Sequence, residues 1–233
     1  MKKFVWNEKR KPLVSILGDS ISTLEGYNPE GYGLFYAGED GAKNKVFSPA
    51  DTWWGQVIEA IGGELLVNNS WAGSRMSRDP GNTLYNHGCN ETRTGALGKD
   101  GKMPDLVMIF MGINDLGSHK MHMLPDVPGD TGTIQVFSVA YETALKAIRE
   151  NYPAAKILCI TPGRAVGSKP DPTIPDQELR RGAMCGIIKA LAARYDCFFF
   201  DLSDEAPYES LDGLHPTANG MKSISKGVLS ALR

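Results

Sequence analysis

Three residues in this chain of 233 have types and spacing suited to nucleophilic chemistry. Ser20 follows an apolar run of strand length, in the sequence Gly-Asp-Ser. A serine hydroxyl is a weak nucleophile near neutral pH unless a base takes its proton. His215 is the candidate base, and Asp212, three residues earlier, is the candidate carboxylate that orients the imidazole. These residues predict acyl transfer through a covalent intermediate on the serine.

Donors for a developing oxyanion are the second requirement of this chemistry. The side-chain amide of Asn114, in Gly-Ile-Asn-Asp, and the backbone N–H of Gly73, in Trp-Ala-Gly-Ser, both follow apolar runs. Together with the backbone N–H of Ser20, they could surround the oxygen of an attacked ester carbonyl. We therefore expect Ser20, Gly73 and Asn114 to hold the oxyanion.

Alternating strands and helices are predicted to position these residues. Apolar runs of strand length occur at 13–17, 64–68, 105–111, 156–161 and 197–202, and helical spacing of apolar residues occurs at 52–61, 134–151, 176–195 and 218–232. This pattern is typical of a five-stranded parallel sheet with helices on both faces, that is, a three-layer α/β/α domain. Ser20, Gly73 and Asn114 each follow a predicted strand, at the sheet edge where such folds bind ligands.

The remaining segments are expected to be irregular and to border the site. They cover 24–51, 74–104, 116–132 and 162–175, although Glu91 in the second also suits a helix start. The first segment and its end carry aromatic residues, which either pack over the sheet edge, the commoner outcome, or bind a sugar or acyl group. These residues are Tyr27, Tyr32, Phe35, Tyr36, Phe47, Trp53 and Trp54.

Three further side chains are candidate substrate contacts. Trp71 lies two residues before Gly73, Arg164 follows the fourth strand, and Asp19 is expected mainly to form loop hydrogen bonds. The arginines of 74–104 could bind an acidic group, although an exposed arginine is more often only solvated.

A metal site is not expected. His119 and His122 are three residues apart, but they lack the carboxylate or cysteine pattern that usually completes such a site. The predicted mechanism also requires no cofactor.

Charge, apolar runs and cysteine usage limit the partners and the cellular compartment that we expect for the protein. The net charge is −2, with no long basic run, which argues against a nucleic-acid partner. An apolar stretch of 18 residues is absent, and the N-terminal extension 1–12 lacks the apolar core of a secretory signal, so we expect a protein without a membrane span. The four cysteines lack metal-type spacing and fit a reducing cytoplasm, with export left open if a signal peptide was removed. The sequence does not indicate the oligomeric state.

In this order, the motifs resemble those of the SGNH (GDSL-type) hydrolases, a family of esterases and acylhydrolases with a flavodoxin-like fold. The resemblance rests on the blocks Gly18-Asp19-Ser20, Gly73, Gly112-Ile113-Asn114-Asp115 and Asp212-Gly213-Leu214-His215. It covers nearly the whole chain and implies a single domain over 1–233.

The predicted activity is hydrolysis of a small-molecule ester with a short acyl group, such as acetyl on a carbohydrate. A thioesterase or lysophospholipase would use the same residues and is the alternative among enzymes. A flavodoxin-like module with phosphate at 18–22, or a carbohydrate-binding module, is the non-catalytic alternative. Neither module explains why a serine, an aspartate and a histidine accompany an asparagine at one edge.

Overall fold

The apolar runs form one sheet in which all strands are parallel. The computed structural model describes residues 10–79, 81, 83–117, 123, 135–169, 172–173 and 176–233. The strands are β1 (Leu13–Gly18), β2 (Glu64–Ser70), β3 (Leu106–Phe110), β4 (Lys156–Ile160) and β5 (Phe198–Phe200), in the spatial order β2-β1-β3-β4-β5.

Helices connect these strands. They are α1 (Gly38–Asn44), α2 (Trp53–Ala60), α3 (Glu91–Gly95), α4 (Ile113–Leu116), α5 (Phe137–Asn151), α6 (Gln177–Arg194) and α7 (Ala218–Leu232), with short 3-10 turns at Ser20–Ser22, Pro49–Asp51 and Leu202–Asp204. The strands and the four longer helices occur where the sequence predicts them, with ends that shift by at most three residues.

The central strand β3 shows how the two helix layers are held. Leu106, Met108 and Phe110 pack in one cluster with side chains of α2 and α7. Val107 and Ile109 point to the opposite face and pack with side chains of α5 and α6. All five are buried, which explains why this strand reads as an unbroken apolar run. The fold is therefore the predicted three-layer α/β/α arrangement.

The segment 24–51 differs from the prediction because it contains α1 and a 3-10 turn. The sequence of α1, Gly-Glu-Asp-Gly-Ala-Lys-Asn, has no apolar spacing that would reveal a helix. Glu39 and Asp40 lie in its first turn, where the helix dipole favours acidic side chains, and Lys45 ends it in the left-handed conformation. In 74–104, the alternative of a helix start at Glu91 is confirmed by α3.

Some sequence predictions fall on residues outside the described ranges. Most of the segment 116–132, including His119 and His122, lies outside them. The same is true of residues 1–9 of the expected extension, so its boundary stays a prediction. Within the described part of the chain, no helix has the length and apolar character needed to cross a membrane.

The sheet topology places the candidate residues at one edge. The chain runs from β1 to β2 on one side and then crosses to β3 on the other, and Gly18 at the end of β1 pairs with Ser70 and Phe110. Such a reversal opens a crevice at the carboxyl ends of the strands. Ser20, Gly73 and Asn114 follow these three strand ends.

Candidate active site

A hydrogen-bond chain joins the three residues proposed for nucleophilic chemistry. His215 Nε2 lies 2.9 Å from Ser20 Oγ, and His215 Nδ1 lies 2.7 Å from Asp212 Oδ2. The second carboxylate oxygen of Asp212 accepts the backbone N–H groups of Leu214 at 2.8 Å and His215 at 2.7 Å. Asp212 therefore fixes both the ring and the backbone of the histidine.

The protonation states of Asp212 and His215 suit a general base beside a nucleophile. Partial burial would raise the pKa of Asp212, but hydrogen bonds from His215 and Leu214 outweigh it and lower that pKa to about 2. Burial lowers the pKa of His215, while Asp212 opposes the shift. Near neutral pH, the arrangement thus holds an ionised carboxylate and a neutral imidazole that can accept a proton.

Aromatic residues enclose the imidazole. The ring of Phe35 stacks on His215 with 3.4 Å between centroids and 11° between planes. Tyr36 meets the same imidazole edge-on, and its hydroxyl donates to the backbone oxygen of Pro216 at 2.7 Å. The sequence offered two interpretations of the aromatic segment, packing or substrate binding, and Phe35 shows another role, since it covers the imidazole.

Ser20 is held in a buried turn. It is 4% exposed and begins the 3-10 turn, in which Asp19 Oδ1 accepts the backbone N–H of Ile21 at 3.1 Å. Asp19 is 2% exposed, and burial raises the pKa of its carboxyl to about 7. This placement favours the loop-bonding interpretation of Asp19 over direct substrate contact.

The candidate oxyanion donors lie on neighbouring loops. Gly73 has a φ of 74°, a conformation that suits glycine. Asn114 Nδ2 donates to the backbone oxygen of Ser74 at 2.9 Å, which ties the two loops together. Gly112, with a φ of 128°, turns the chain from β3 into α4, and a Cβ there would lie 2.9 Å from Met184 Sδ. The second N–H of the Asn114 amide is a further donor.

Two buried charged residues support these loops: the sequence predicted loop hydrogen bonding for Asp115 but not for Arg93. The guanidinium of Arg93 donates to the backbone oxygens of Gly18 at 2.8 Å and Asn69 at 2.7 Å, and to Ser74 Oγ at 3.1 Å. Asp115 accepts the hydroxyl and the backbone N–H of Ser77. Arg93 was considered as a contact for an acidic substrate group, but it is 1% exposed and binds backbone instead.

The other two candidate substrate contacts, Trp71 and Arg164, differ in exposure and in their neighbours. Trp71 is half-buried and stacks on Tyr32, with 4.1 Å between ring centroids. Arg164 is exposed and lines a cavity of about 1000 Å³ that also borders Gly73, Asn114 and Asp212. The cavity therefore connects the candidate oxyanion donors with the loop after β4.

Metal ligands are not clustered in the described ranges, where no group of three or more His, Cys, Asp or Glu side chains is arranged to hold an ion. The expectations that the reaction needs neither metal nor cofactor stay predictions.

Comparison with known proteins agrees with the fold and the motifs. The GDSL-like Lipase/Acylhydrolase family matches residues 12–232, so the chain belongs to this family and is an esterase of the SGNH (GDSL) type. No match was found among curated proteins.

Solved structures share the fold at low sequence identity. A GDSL-like lipase from Bacteroides uniformis is 24% identical, with 95% of each chain covered and a TM-score of 0.71. One from Bacteroides ovatus is also 24% identical, with 95% of this chain and 97% of that chain covered and a TM-score of 0.69. A carbohydrate acetylesterase from Sinorhizobium meliloti is 20% identical, with 95% and 97% covered and a TM-score of 0.63.

Proposed function

We propose that the protein hydrolyses carboxylic esters through an acyl-enzyme on Ser20, with His215 as the general base and acid and Asp212 as the orienting carboxylate. The observation that carries this proposal is the hydrogen-bond chain between side chains 195 positions apart, with distances of 2.9 Å and 2.7 Å. A base within about 3.2 Å of a serine hydroxyl, oriented by a third group, is the arrangement that activates such a nucleophile.

The reaction proceeds in two steps. Ser20 Oγ attacks the ester carbonyl carbon while His215 Nε2 takes its proton. His215 then protonates the leaving alcohol, and the carbon–oxygen bond to that alcohol breaks. Water attacks the acyl-enzyme with His215 again as the base, which releases the carboxylic acid and restores Ser20. Asp212 stabilises the imidazolium in both steps.

The oxyanion of each tetrahedral intermediate accepts hydrogen bonds from the backbone N–H groups of Ser20 and Gly73 and from the amide of Asn114. Their placement after adjacent strand ends supports this role, as does the hydrogen bond between Asn114 and the Ser74 carbonyl. Donors held in advance of the reaction stabilise developing charge without reorganising.

The substrate is an ester with a short acyl group, such as acetyl on a carbohydrate. The carbohydrate acetylesterases among the structures of shared fold support this assignment. The stacked pair of Tyr32 and Trp71 supports it too, because flat aromatic faces pack well against sugar rings. We also propose that Trp71 and Arg164 contact the alcohol part of the ester. A cytoplasmic location is proposed from cysteine usage alone.

Hydrolysis of p-nitrophenyl acetate tests the mechanism. Ser20→Ala is expected to abolish turnover, and a fluorophosphonate is expected to label Ser20, as read by mass spectrometry. Ser230→Ala, an exposed serine on α7, is the matched control and should leave turnover unchanged. A native, folded protein that neither turns over the ester nor takes the label would contradict the proposal and favour a non-catalytic binding module.

A series of p-nitrophenyl esters tests the acyl preference. Acetate is expected to exceed octanoate in kcat/KM. The reverse order would contradict the short-acyl preference.

A further inference from the structure

The cavity beside the candidate oxyanion donors carries an excess of positive charge. Its described lining includes four cationic side chains but only two carboxylates, Glu178 and Asp212. The cationic residues are Arg75, Arg164, Lys169 and Arg181. Asp212 is committed to His215, and Arg75 pairs with Asp79 at 3.2 Å, so Glu178 is the remaining carboxylate of the described lining for Arg164, Lys169 and Arg181.

Two guanidinium groups share the single carboxylate of Glu178. Arg164 Nη2 lies 2.6 Å from Glu178 Oε2, and Arg181 Nε lies 3.5 Å from Glu178 Oε1. One carboxylate cannot neutralise two guanidinium groups, so this part of the wall keeps one unmatched positive charge among the described residues. A cleft whose wall carries a net positive charge raises the local concentration of anionic ligands.

Arg181 is the more unusual of the two. Its side chain is 7% exposed, and its Nη1 donates to the backbone oxygen of Gly163 at 2.6 Å. Its Nε is buried and has no hydrogen-bond partner among the described residues. A buried guanidinium N–H costs free energy when it lacks an acceptor, and Glu178 Oε1 at 3.5 Å is too distant to be a full hydrogen-bond partner, so Arg181 keeps its positive charge behind the cavity wall.

The size of the cavity indicates which part of the ester carries the anion. A volume of about 1000 Å³ greatly exceeds the need of an acetyl group and is large enough for a sugar ring with its substituents. If the acyl group is short, the arginines face the alcohol part of the substrate.

We propose that Arg164 and Arg181 form an anionic subsite that binds a carboxylate on the carbohydrate part of the ester, as in an acetylated uronic acid. This proposal deepens the proposed function and rests on it. The guanidinium of Arg164 is the accessible partner, and Arg181 supports it from the buried side of the cavity.

Calorimetric titration of the native protein with methyl glucuronoside tests the subsite without requiring turnover. The neutral comparison is the primary amide of the same sugar, which has nearly the same shape. We expect the acid to bind about tenfold more tightly than the amide, the scale of one charge-assisted hydrogen bond. Added salt should weaken binding of the acid but not of the amide.

Two variants that change the charge of the subsite in opposite directions sharpen the test. Arg164→Gln should bring the acid-to-amide ratio close to one, whereas Glu178→Gln removes the neutralising carboxylate and should raise the ratio. The matched control is Arg194→Gln, at the other end of α6, where the arginine pairs with Glu142. This control should leave the ratio unchanged.

Specific results of these titrations would overturn the anionic subsite. Equal binding of acid and amide by the native protein, or a ratio that Arg164→Gln leaves intact, overturns the proposal. Tighter binding of glucose 6-phosphate than of the uronic acid would overturn the carboxylate assignment in favour of a phosphate. Because p-nitrophenyl acetate turnover is measured separately, loss of the subsite and loss of the proposed esterase mechanism are distinguishable.

Discussion

The ring of Phe35 lies parallel to the imidazole of His215, with 3.4 Å between their centroids and 11° between their planes. This contact restricts rotation of the imidazole and excludes water from one of its faces. The charged groups near the ring are Asp212 and Asp40, which raise the pKa of His215, but the effect of burial is larger and lowers it. Phe35 is therefore expected to influence both the orientation of the base and its protonation.

Phe35→Leu should move the acidic limb of the kcat/KM profile to higher pH. Loss of the ring exposes the imidazole, so the pKa of His215 rises toward its ordinary value and less of the neutral base is present at a given pH. Above this limb we expect kcat to fall about tenfold, less than when a general base is lost altogether. Phe35→Tyr keeps a stacked ring and should retain the native profile. Phe47→Leu, at an exposed phenylalanine, is the control, and an unmoved limb in Phe35→Leu would contradict the expectation.

Asn114→Ala should lower kcat by about 10² to 10³ with little change in KM, the cost of one lost oxyanion donor. Steady-state kinetics with p-nitrophenyl acetate measures this effect. Asn151→Ala removes an exposed amide on α5 and serves as the control. A loss of threefold or less would mean that the amide does not face the oxyanion.

Arg93→Lys should destabilise the protein despite keeping a basic side chain. An ammonium cannot reach the Gly18 and Asn69 carbonyls and Ser74 Oγ at once, and burial favours its neutral form. Because buried carbonyls are left without donors, the free energy of unfolding should fall by about 3 kcal/mol or more, as measured by urea denaturation.

A control separates this effect from loss of any arginine. Arg194→Lys, at an exposed ion pair, should change the free energy of unfolding by less than about 0.5 kcal/mol. Equal stability of Arg93→Lys and the native protein would remove Arg93 as the link between the strand ends.

Asp19→Asn should change how stability depends on pH. The pKa of the folded Asp19 is about 7, whereas an unfolded aspartate titrates near pH 4. Between these values the folded chain binds more protons, so the free energy of unfolding of the native protein falls as pH rises, and this contribution is lost by about pH 7. Plotted against pH, the free energies of unfolding of the native protein and of Asp19→Asn should diverge by up to about 1.4 kcal/mol per pH unit. Urea denaturation from pH 4 to 8 tests this, and parallel curves would contradict it.

The sequence was most informative where local patterns reflect burial directly. β3 is buried on both faces and reads as an apolar run, and α5 shows helical spacing because one face packs on the sheet. Ser20 was recognisable because it follows an apolar run of strand length, and Asp212 and His215 because a carboxylate three residues before a histidine can orient its ring. The structure joins them by hydrogen bonds of 2.9 Å and 2.7 Å, and their catalytic roles stay a prediction.

The supporting residues could not be found in this way. Phe35 meets His215 across 180 positions, and no local pattern distinguishes it from the neighbouring aromatic residues. Arg93 resembles any arginine in a polar segment, since only the tertiary structure shows that its guanidinium is buried among carbonyl groups. α1 was missed because its residues follow no apolar spacing, although Glu39 and Asp40 lie in its first turn, where the helix dipole favours acidic side chains.

The separation of Ser20 and His215 by 195 positions has a consequence for synthesis of the protein. On the ribosome, the proposed nucleophile emerges about 10 to 40 seconds before the proposed base. A nascent chain that ends within β5 contains the strands and the serine but lacks the histidine. Under the proposed mechanism, ester hydrolysis therefore reports that the segment before α7 has docked against the sheet, and enzymatic turnover can be used to time the last stage of folding.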